Sequence, residues 1–326
     1  MNLLAAVAVS VVVCSAVLYL LLRFAARRLP LDHPNARSLH ERPVPRVGGV
    51  AILAALLLVA ATGLAPFNLA LILALALGVI SFVDDLHRLP TGVRFVAHLA
   101  AAAVIGWYLL SPMDWLSLAL IVLGIAWITN LYNFMDGSDG LAGGMATIGF
   151  GAYGLAAWWG GDAALAALCV ALSAAAFAFL LHNHHPARIF LGDVGSIPLG
   201  FLAAALGIAG WRNDLWPLWF PVLVFGPFIA DATITLVRRV LRRERVWQAH
   251  RDHYYQRMVR MGLGHRGTAW TGYAVMLLCA GAALLGRAQA PGMQAMVFLA
   301  TSAALGAMAI WVDVRWMRFS RAQGPA

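Results

Sequence analysis

The chain has 326 residues, 62% of them hydrophobic and only 11% charged, with a formal net charge of +9 and a mean hydropathy of +0.80. This excludes a water-soluble domain built around one apolar core, because runs of roughly 20 apolar residues, the length that crosses a hydrocarbon layer, recur from end to end. The positive charge is explained by membrane topology and anionic headgroups, and no aromatic-basic stripe points to nucleic acid.

In chain order the apolar runs lie near 3–24, 47–64, 66–83, 93–111, 114–131, 140–160, 162–182, 196–212, 215–237, 269–287 and 293–312. They predict an all-α, polytopic integral membrane protein with about eleven transmembrane helices. The first run has no basic segment before it, is too long for a signal peptide and has its arginines after it. It therefore reads as a membrane anchor. All 23 basic side chains are Arg. With the N-terminus outside, 21 of them fall on the inner-side segments 23–46, 84–94, 129–141, 183–195, 238–268 and 313–326, leaving Arg212 and Arg287 outside. The positive-inside rule demands this asymmetry, and it puts the C-terminus in the cytoplasm.

Residues 1–326 read as one membrane domain, without tandem repeat or soluble appendage. The polar stretch at 238–268 is the only loop with room for a small structure of its own. In the ninth run, FPVLVFGPFIADATITLVRR, Gly226-Pro227 sits mid-helix. A missing amide and a ring clash predict a kink or break there. Asp231, just beyond, either snorkels to the interface or borders a groove that the bend opens. Cys14, Cys169 and Cys279 lie inside apolar runs without metal-ligand spacing, which predicts packing and no disulfides.

The chemistry is carried by polar islands, all on the predicted cytoplasmic side. A carboxylate at a bilayer boundary is costly and marks a functional site by default. Asp84 and Asp85 repel each other, so a cation, an arginine or a proton must accompany them. A solvated loop start also fits the pair. Asn130, Asn133, Asp136 and Asp139 are spaced by three, so a helix would turn them toward a common cleft. Asp193, in FLGDVGS, suits a tight turn that offers one carboxylate to a hard cation. Mg²⁺ takes one or two protein oxygens and completes its octahedron with water and phosphate, so Asn133 with Asp193 is the candidate metal pair. His184-His185 lacks the partners for a zinc site. In RRVLRRER…HRDHYYQRM, the Arg forks suit phosphate oxygens, with His250, Arg251 and His253 as candidates. A basic loop held by the membrane explains part of the Arg run equally well.

These islands resemble, in order and spacing, the MraY/WecA superfamily of polyprenyl-phosphate N-acetylhexosamine-1-phosphate transferases. The resemblance rests on DHPNARSLHERPVPRVGG (32–49), Asp84-Asp85, NLYNFMDGSDGLAGG (130–144), NHHPARIFLGDVGS (183–196) and the His-containing loop at 250–256. It covers nearly the whole chain and is nearest to the bacterial branch that starts O-antigen and related surface polysaccharides. It implies a cytoplasmic active site in the bacterial inner membrane, often in a homodimer. The reaction it implies passes a sugar 1-phosphate from a UDP-sugar to undecaprenyl phosphate with release of UMP, assisted by Mg²⁺ or Mn²⁺. By position, Asn133 and Asp193 match metal-side residues, and Asp84 and Asp85 match the acidic pair tied to the lipid phosphate, with His253 as a further catalytic residue. Asn183 and Phe190 match nucleotide contacts. Asp136 and Asp139, with Arg46, His250 and Arg251, are the remaining substrate-binding candidates. One departure stands out: where the family often carries three histidines, this chain has His253-Tyr254-Tyr255-Gln256 and keeps only the first. A polyisoprenoid-intermediate flippase and the peptidoglycan-precursor branch are the alternatives. A flippase would place its charges near the midplane, with broken helices in both halves, whereas these acids gather on one face.

Overall fold

The computed structural model describes residues 2–25, 30–34, 39, 42–245, 248 and 250–323. Positions 35–38 and 40–41 of the 32–49 motif, and 246, 247 and 249 of the polar loop, lie outside the described residues. Every predicted apolar run lies on helix. In order these are α1 (Leu3–Leu20), α2 (Gly48–Ala61), α3 (Leu69–His87), α4 (Thr91–Leu110), α5 (Trp115–Phe134), α6 (Leu141–Trp159) and α7 (Ala163–Asn183). There follow α8 (Asp193–Arg212), α9 (Trp219–Val224), α10 (Gly226–Leu241), the short α11 (Tyr254–Met258), α12 (Gly264–Gly286) and α13 (Pro291–Ala322). Two residue pairs, β1 (Leu31–Asp32) and β2 (Val44–Pro45), form the only sheet among the described residues, antiparallel.

Helix starts follow their polar residues. Asn2, Asn68, Asp114 and Asp162 each precede an apolar run, and each accepts a first-turn amide, from Ala5, Leu71, Ser117 and Leu165 respectively. Such a cap stabilises by about 1 kcal/mol, and it accounts for two acids, Asp114 and Asp162, that belong to no inner-side island. The ninth run breaks where its sequence predicts: α9 ends at Val224 and α10 begins at Gly226.

Among the described residues, eight helices are long and apolar enough to cross a membrane. α2 has 14 residues, about 21 Å at 1.5 Å per residue, which is short of a hydrocarbon layer of roughly 30 Å. α6 is diluted by glycine, and the α9–α10 run is split. The eleven predicted spans thus correspond to helices of unequal reach. The last predicted run stops at 312, but α13 continues to Ala322.

Of the eight span-length helices, α8 and α7 are the most enclosed and α13 the least. α8 packs on α3 and α5, while α7 packs on α1 and α6. α8 is hydrophobic all round, as a central helix must be. It meets α2 through Gly49 and Gly195, where a Cβ on Gly49 would collide with the backbone of Gly195; small residues allow membrane helices this close approach. All three cysteines are free and buried.

Candidate active site

The acid–arginine cluster is assembled from the ends of α3, α4 and α8 and the segment entering α2. Asp84 and Asp85 close α3, which Arg88 terminates in the left-handed region at φ 52°. The short turn that follows starts α4, so Arg94 returns to the acid pair. Arg94 Nη1 lies 2.9 Å from Asp84 Oδ2 and 3.6 Å from Asp193 Oδ2. Asp84 Oδ1 also accepts the Leu89 amide at 2.7 Å. Asp85, whose side chain is 3% exposed, pairs with Arg46 at 2.9 Å, and its Oδ2 is buried without a hydrogen-bond partner among the described residues. Main-chain bonds deliver Arg46: Phe190 N donates to Pro45 O at 2.7 Å, and Gly48 N to Phe190 O at 2.9 Å. Gly192 passes directly under the Arg46 carbonyl at φ 72°, where a side chain would collide with it. Only glycine combines that backbone with that contact.

Asn133, in the last turn of α5, accepts from Ser196 Oγ of α8 at 2.8 Å. Asn133 and Asp193 therefore sit on adjoining helix ends. Asp136 lies in the following loop, where burial, reinforced by the charges of Asp193 and Asp32, pushes its carboxyl well above the usual carboxylate range. Asp84, Asp85 and Asp193 thus share two guanidinium groups, Arg46 and Arg94, and the charges of Asp193 and Asp32 act on Asp136 beside them. A donor set of oxygens short of positive charge fits a hard divalent cation. No group of three His, Cys, Asp or Glu placed to hold a metal ion occurs among the described residues.

A second cluster ties loops together. Asp139 Oδ2 meets His185 Nδ1 at 2.7 Å and the Ala187 amide at 3.2 Å. His265, at the start of α12, reaches Ser138 Oγ at 3.0 Å and Leu39 O at 3.0 Å. Its ring stacks on that of His185 with centroids 5.4 Å apart. Asn183 is buried with both amide ends engaged: Oδ1 accepts from Gly140 N at 2.9 Å, and Nδ2 donates to Ile189 O at 3.0 Å. These groups clasp the α5–α6 loop, the α7–α8 loop and α12.

A third cluster forms in the polar loop. Asp231 of α10 receives His253 Nδ1, Tyr254 N and Tyr255 N, each at 3.0 Å. His250 lies 4.9 Å from the His253 ring, centroid to centroid. Burial, with His253 and Arg239 adding to it, lowers its pKa to about 4, so at neutral pH it offers an uncharged ring. Arg239 is bound to Asp252 at 2.6 Å and to Glu244 at 2.8 Å. Arg251 is half-buried in the same loop.

The structure brings Asp84, Asp85, Asp136, Asp193, Asn133 and Arg46 to one region, and it gives Phe190 a main-chain role beside Arg46. It corrects one expectation. Asn130, Asn133, Asp136 and Asp139 do not share a helical face, because α5 ends at Phe134 before the glycines of the loop. Asn130 turns its amide to Ala126 O instead. Two site groups went unrecognised in the sequence. Arg94 follows Asp84 by ten residues across one tight connection, a spacing that a count of topology signals hides. Asp32 heads the 32–49 motif, and its approach to Asp136 is a long-range contact.

The glycosyl transferase family 4 profile matches residues 68–211. The chain is 31% identical over 265 residues to the probable undecaprenyl-phosphate N-acetylglucosaminyl 1-phosphate transferase of Bacillus subtilis, covering 75% of this chain and 74% of that one. It is 30% identical to the decaprenyl-phosphate N-acetylglucosaminephosphotransferase of Mycobacterium tuberculosis, over 75% of this chain and 72% of that one. It is also 29% identical to the phospho-N-acetylmuramoyl-pentapeptide-transferase of Shouchella clausii, over 66% and 75%.

Proposed function

The chain belongs to glycosyl transferase family 4, the MraY/WecA superfamily, and from that premise we propose that it transfers an N-acetylhexosamine 1-phosphate from a UDP-sugar to undecaprenyl phosphate, starting a surface polysaccharide. An oxygen of the lipid phosphate bonds to the phosphorus that carries the sugar. That phosphorus releases its bridging oxygen, and UMP leaves with the electron pair. The observation that carries this reading is the donor-poor acid–arginine cluster, in which Asp84, Asp85 and Asp193 share Arg46 and Arg94. Two relatives named for N-acetylglucosaminyl phosphate transfer, at 31% and 30% identity, support it.

Two anions must meet here, so the chain's task is to hold them and screen their charge. The Arg46 and Arg94 forks suit phosphate oxygens, and both are half-exposed while bonded to carboxylates. Asp84 and Asp85 belong to the acceptor side, where they position the lipid phosphate and take any residual proton. Asp193 and Asn133 would hold Mg²⁺, for which Mn²⁺ substitutes. When bound, the ion neutralises the pyrophosphate and the charge moving onto UMP. Phosphate is already nucleophilic at neutral pH, so positioning carries much of the acceleration. Asn183 shapes the donor pocket through the two loops it joins. The site faces the cytoplasm in a bacterial inner membrane.

Purified protein with undecaprenyl phosphate, Mg²⁺ and a panel of UDP-sugars should release UMP with at least one donor, and only when the lipid is present. Silence across the panel would end this reading. A cysteine introduced at Gln248 should resist an impermeant thiol reagent in intact cells, while one at Asp162 should react. Labelling at 248 from outside would reverse the topology.

A further inference from the structure

A helix ends with four carbonyls that its own amides cannot reach. At the end of α5, three of them find donors in the chain that follows. Met135 N donates to Leu131 O at 3.1 Å and to Tyr132 O at 3.2 Å, and Asp136 N donates to Asn133 O at 3.2 Å. The fourth, Phe134 O, takes its hydrogen from the Tyr255 hydroxyl of α11 at 3.1 Å. A carbonyl only accepts, so the phenol is the donor. The same hydroxyl lies over Gly137, where a Cβ would collide with it, and ring carbons Cζ and Cε2 follow at 3.1 and 3.4 Å. Tyr255 is 4% exposed. Its amide is fixed on Asp231 at 3.0 Å, and its ring stacks on His253 with centroids 5.8 Å apart. His253 and Gln256 in turn close a capping box on the first turn of α11. Together these bonds hold the phenol against the α5–α6 turn.

We propose that Tyr255 is a positioning residue for the transfer, a strut from the polar loop that sets the turn carrying Asn133 and Asp136. Its two contacts adjoin these residues: Phe134 follows Asn133, and Gly137 follows Asp136. Both residues reach the α8 side of the site. Asn133 accepts from Ser196 Oγ at 2.8 Å, and the Asp136 carboxyl takes the amide of Gly192, one residue before Asp193. A hydroxyl bonded to one end of the turn and pressed on the other fixes how Asn133 and Asp136 stand toward Asp193. The polar loop thereby acts on the acid–arginine cluster through one phenol. This rests on the proposed transferase reading for the roles of Asn133 and Asp136. Gly137 fits the same account. Its φ lies outside the left-handed region, so its backbone admits a side chain, and the three atoms nearest to a Cβ there all belong to Tyr255. The phenol is what requires glycine.

A double-mutant cycle tests the strut. Gly137→Ala should lower kcat for UMP release by at least about tenfold, since a misplacement of about 1 Å costs up to about 10²-fold. Tyr255→Phe removes the oxygen and keeps the ring. In that background Gly137→Ala should change kcat less than about threefold, because the two positions are coupled through the missing oxygen. Equal losses in both backgrounds, or no loss in the wild type, overturn the proposal. The second measurement needs neither turnover nor a Gly137 variant. Mn²⁺ binding, followed by electron paramagnetic resonance on the full chain, should weaken by about tenfold in Tyr255→Phe, the scale for losing a group that orients a metal ligand. It should stay at the wild-type value in Tyr254→Phe, which loses the neighbouring hydroxyl's bond to Asp313 of α13 at 3.2 Å. Equal weakening in both variants would make Tyr255 one more anchor of the loop, and unchanged binding in Tyr255→Phe would detach it from the site; either result overturns the proposal. Absence of UMP release by the wild type with every donor would instead count against the transferase reading, while the Mn²⁺ series still decides the role of Tyr255.

Discussion

Two groups of carboxylates lie on the same end of this molecule and are furnished in opposite ways. Asp139 and Asp231 are surrounded by donors, two for Oδ2 of Asp139 and four for the Asp231 carboxylate. Asp85 and Asp193 are not: one oxygen of Asp85 is a buried orphan, and the contact of Asp193 with Arg94 is 3.6 Å long. Buried polar groups are normally satisfied, and a deficit of positive charge among several carboxylates needs a partner from outside the chain. The contrast separates acids whose bonds tie loops together from acids that the proposed reading assigns to a ligand.

The contrast can be broken most sharply at Asp193. Asp193→Asn should lower UMP release by at least about 10²-fold, the scale for losing one charge-stabilising group, while the protein's melting temperature stays near wild type. Near-normal turnover would move the site elsewhere. Asp85→Asn should also cut kcat severely, with kcat and kcat/KM falling together, since an acceptor-side interaction is realised mainly in the transition state. Calorimetric titration should show UDP-sugar binding retained. If affinity is lost as completely as in Asp193→Asn, the pair belongs to the donor side.

The satisfied carboxylates should respond in the other currency, stability. Asp139→Asn breaks the bond to His185 and should cost about 1–3 kcal/mol, read as a lower melting temperature with turnover reduced far less than in Asp193→Asn. A turnover loss as large as that of Asp193→Asn, without a melting shift, would place Asp139 among the ligand-binding acids. Gly192→Ala forces a side chain against the Arg46 carbonyl in left-handed backbone and should cost about 1–3 kcal/mol in strain. Unchanged melting there would mean that the Arg46–Asp85 scaffold tolerates displacement.

Much of this was legible beforehand. The apolar runs, the break at Gly226-Pro227 and the gathering of Asp84, Asp85, Asp136, Asp193 and Asn133 follow from composition, proline chemistry and topology. What hid was the degree of satisfaction of each polar group. Asn183 and Asp139 read as ligand contacts in a motif, and their bonds to Gly140, Ile189 and His185 appear only once three loops converge. The spacing of three from Asn130 to Asp139 suggested one helical face, and it could not reveal where α5 stops. Asp231 looked like either a snorkelling acid or a groove marker. Its three loop donors lie more than twenty residues away, on a segment whose own sequence says nothing about α10.

The most direct measurement is Mn²⁺ binding followed by electron paramagnetic resonance, on the purified full chain without substrates. Wild type and Asp139→Asn should titrate with one bound ion of similar affinity, and Asp193→Asn should bind at least about tenfold more weakly, because a neutral amide replaces a coordinating carboxylate. Equal binding by Asp193→Asn, or loss of the ion in Asp139→Asn instead, would contradict the division between acids that await a ligand and acids that hold the fold.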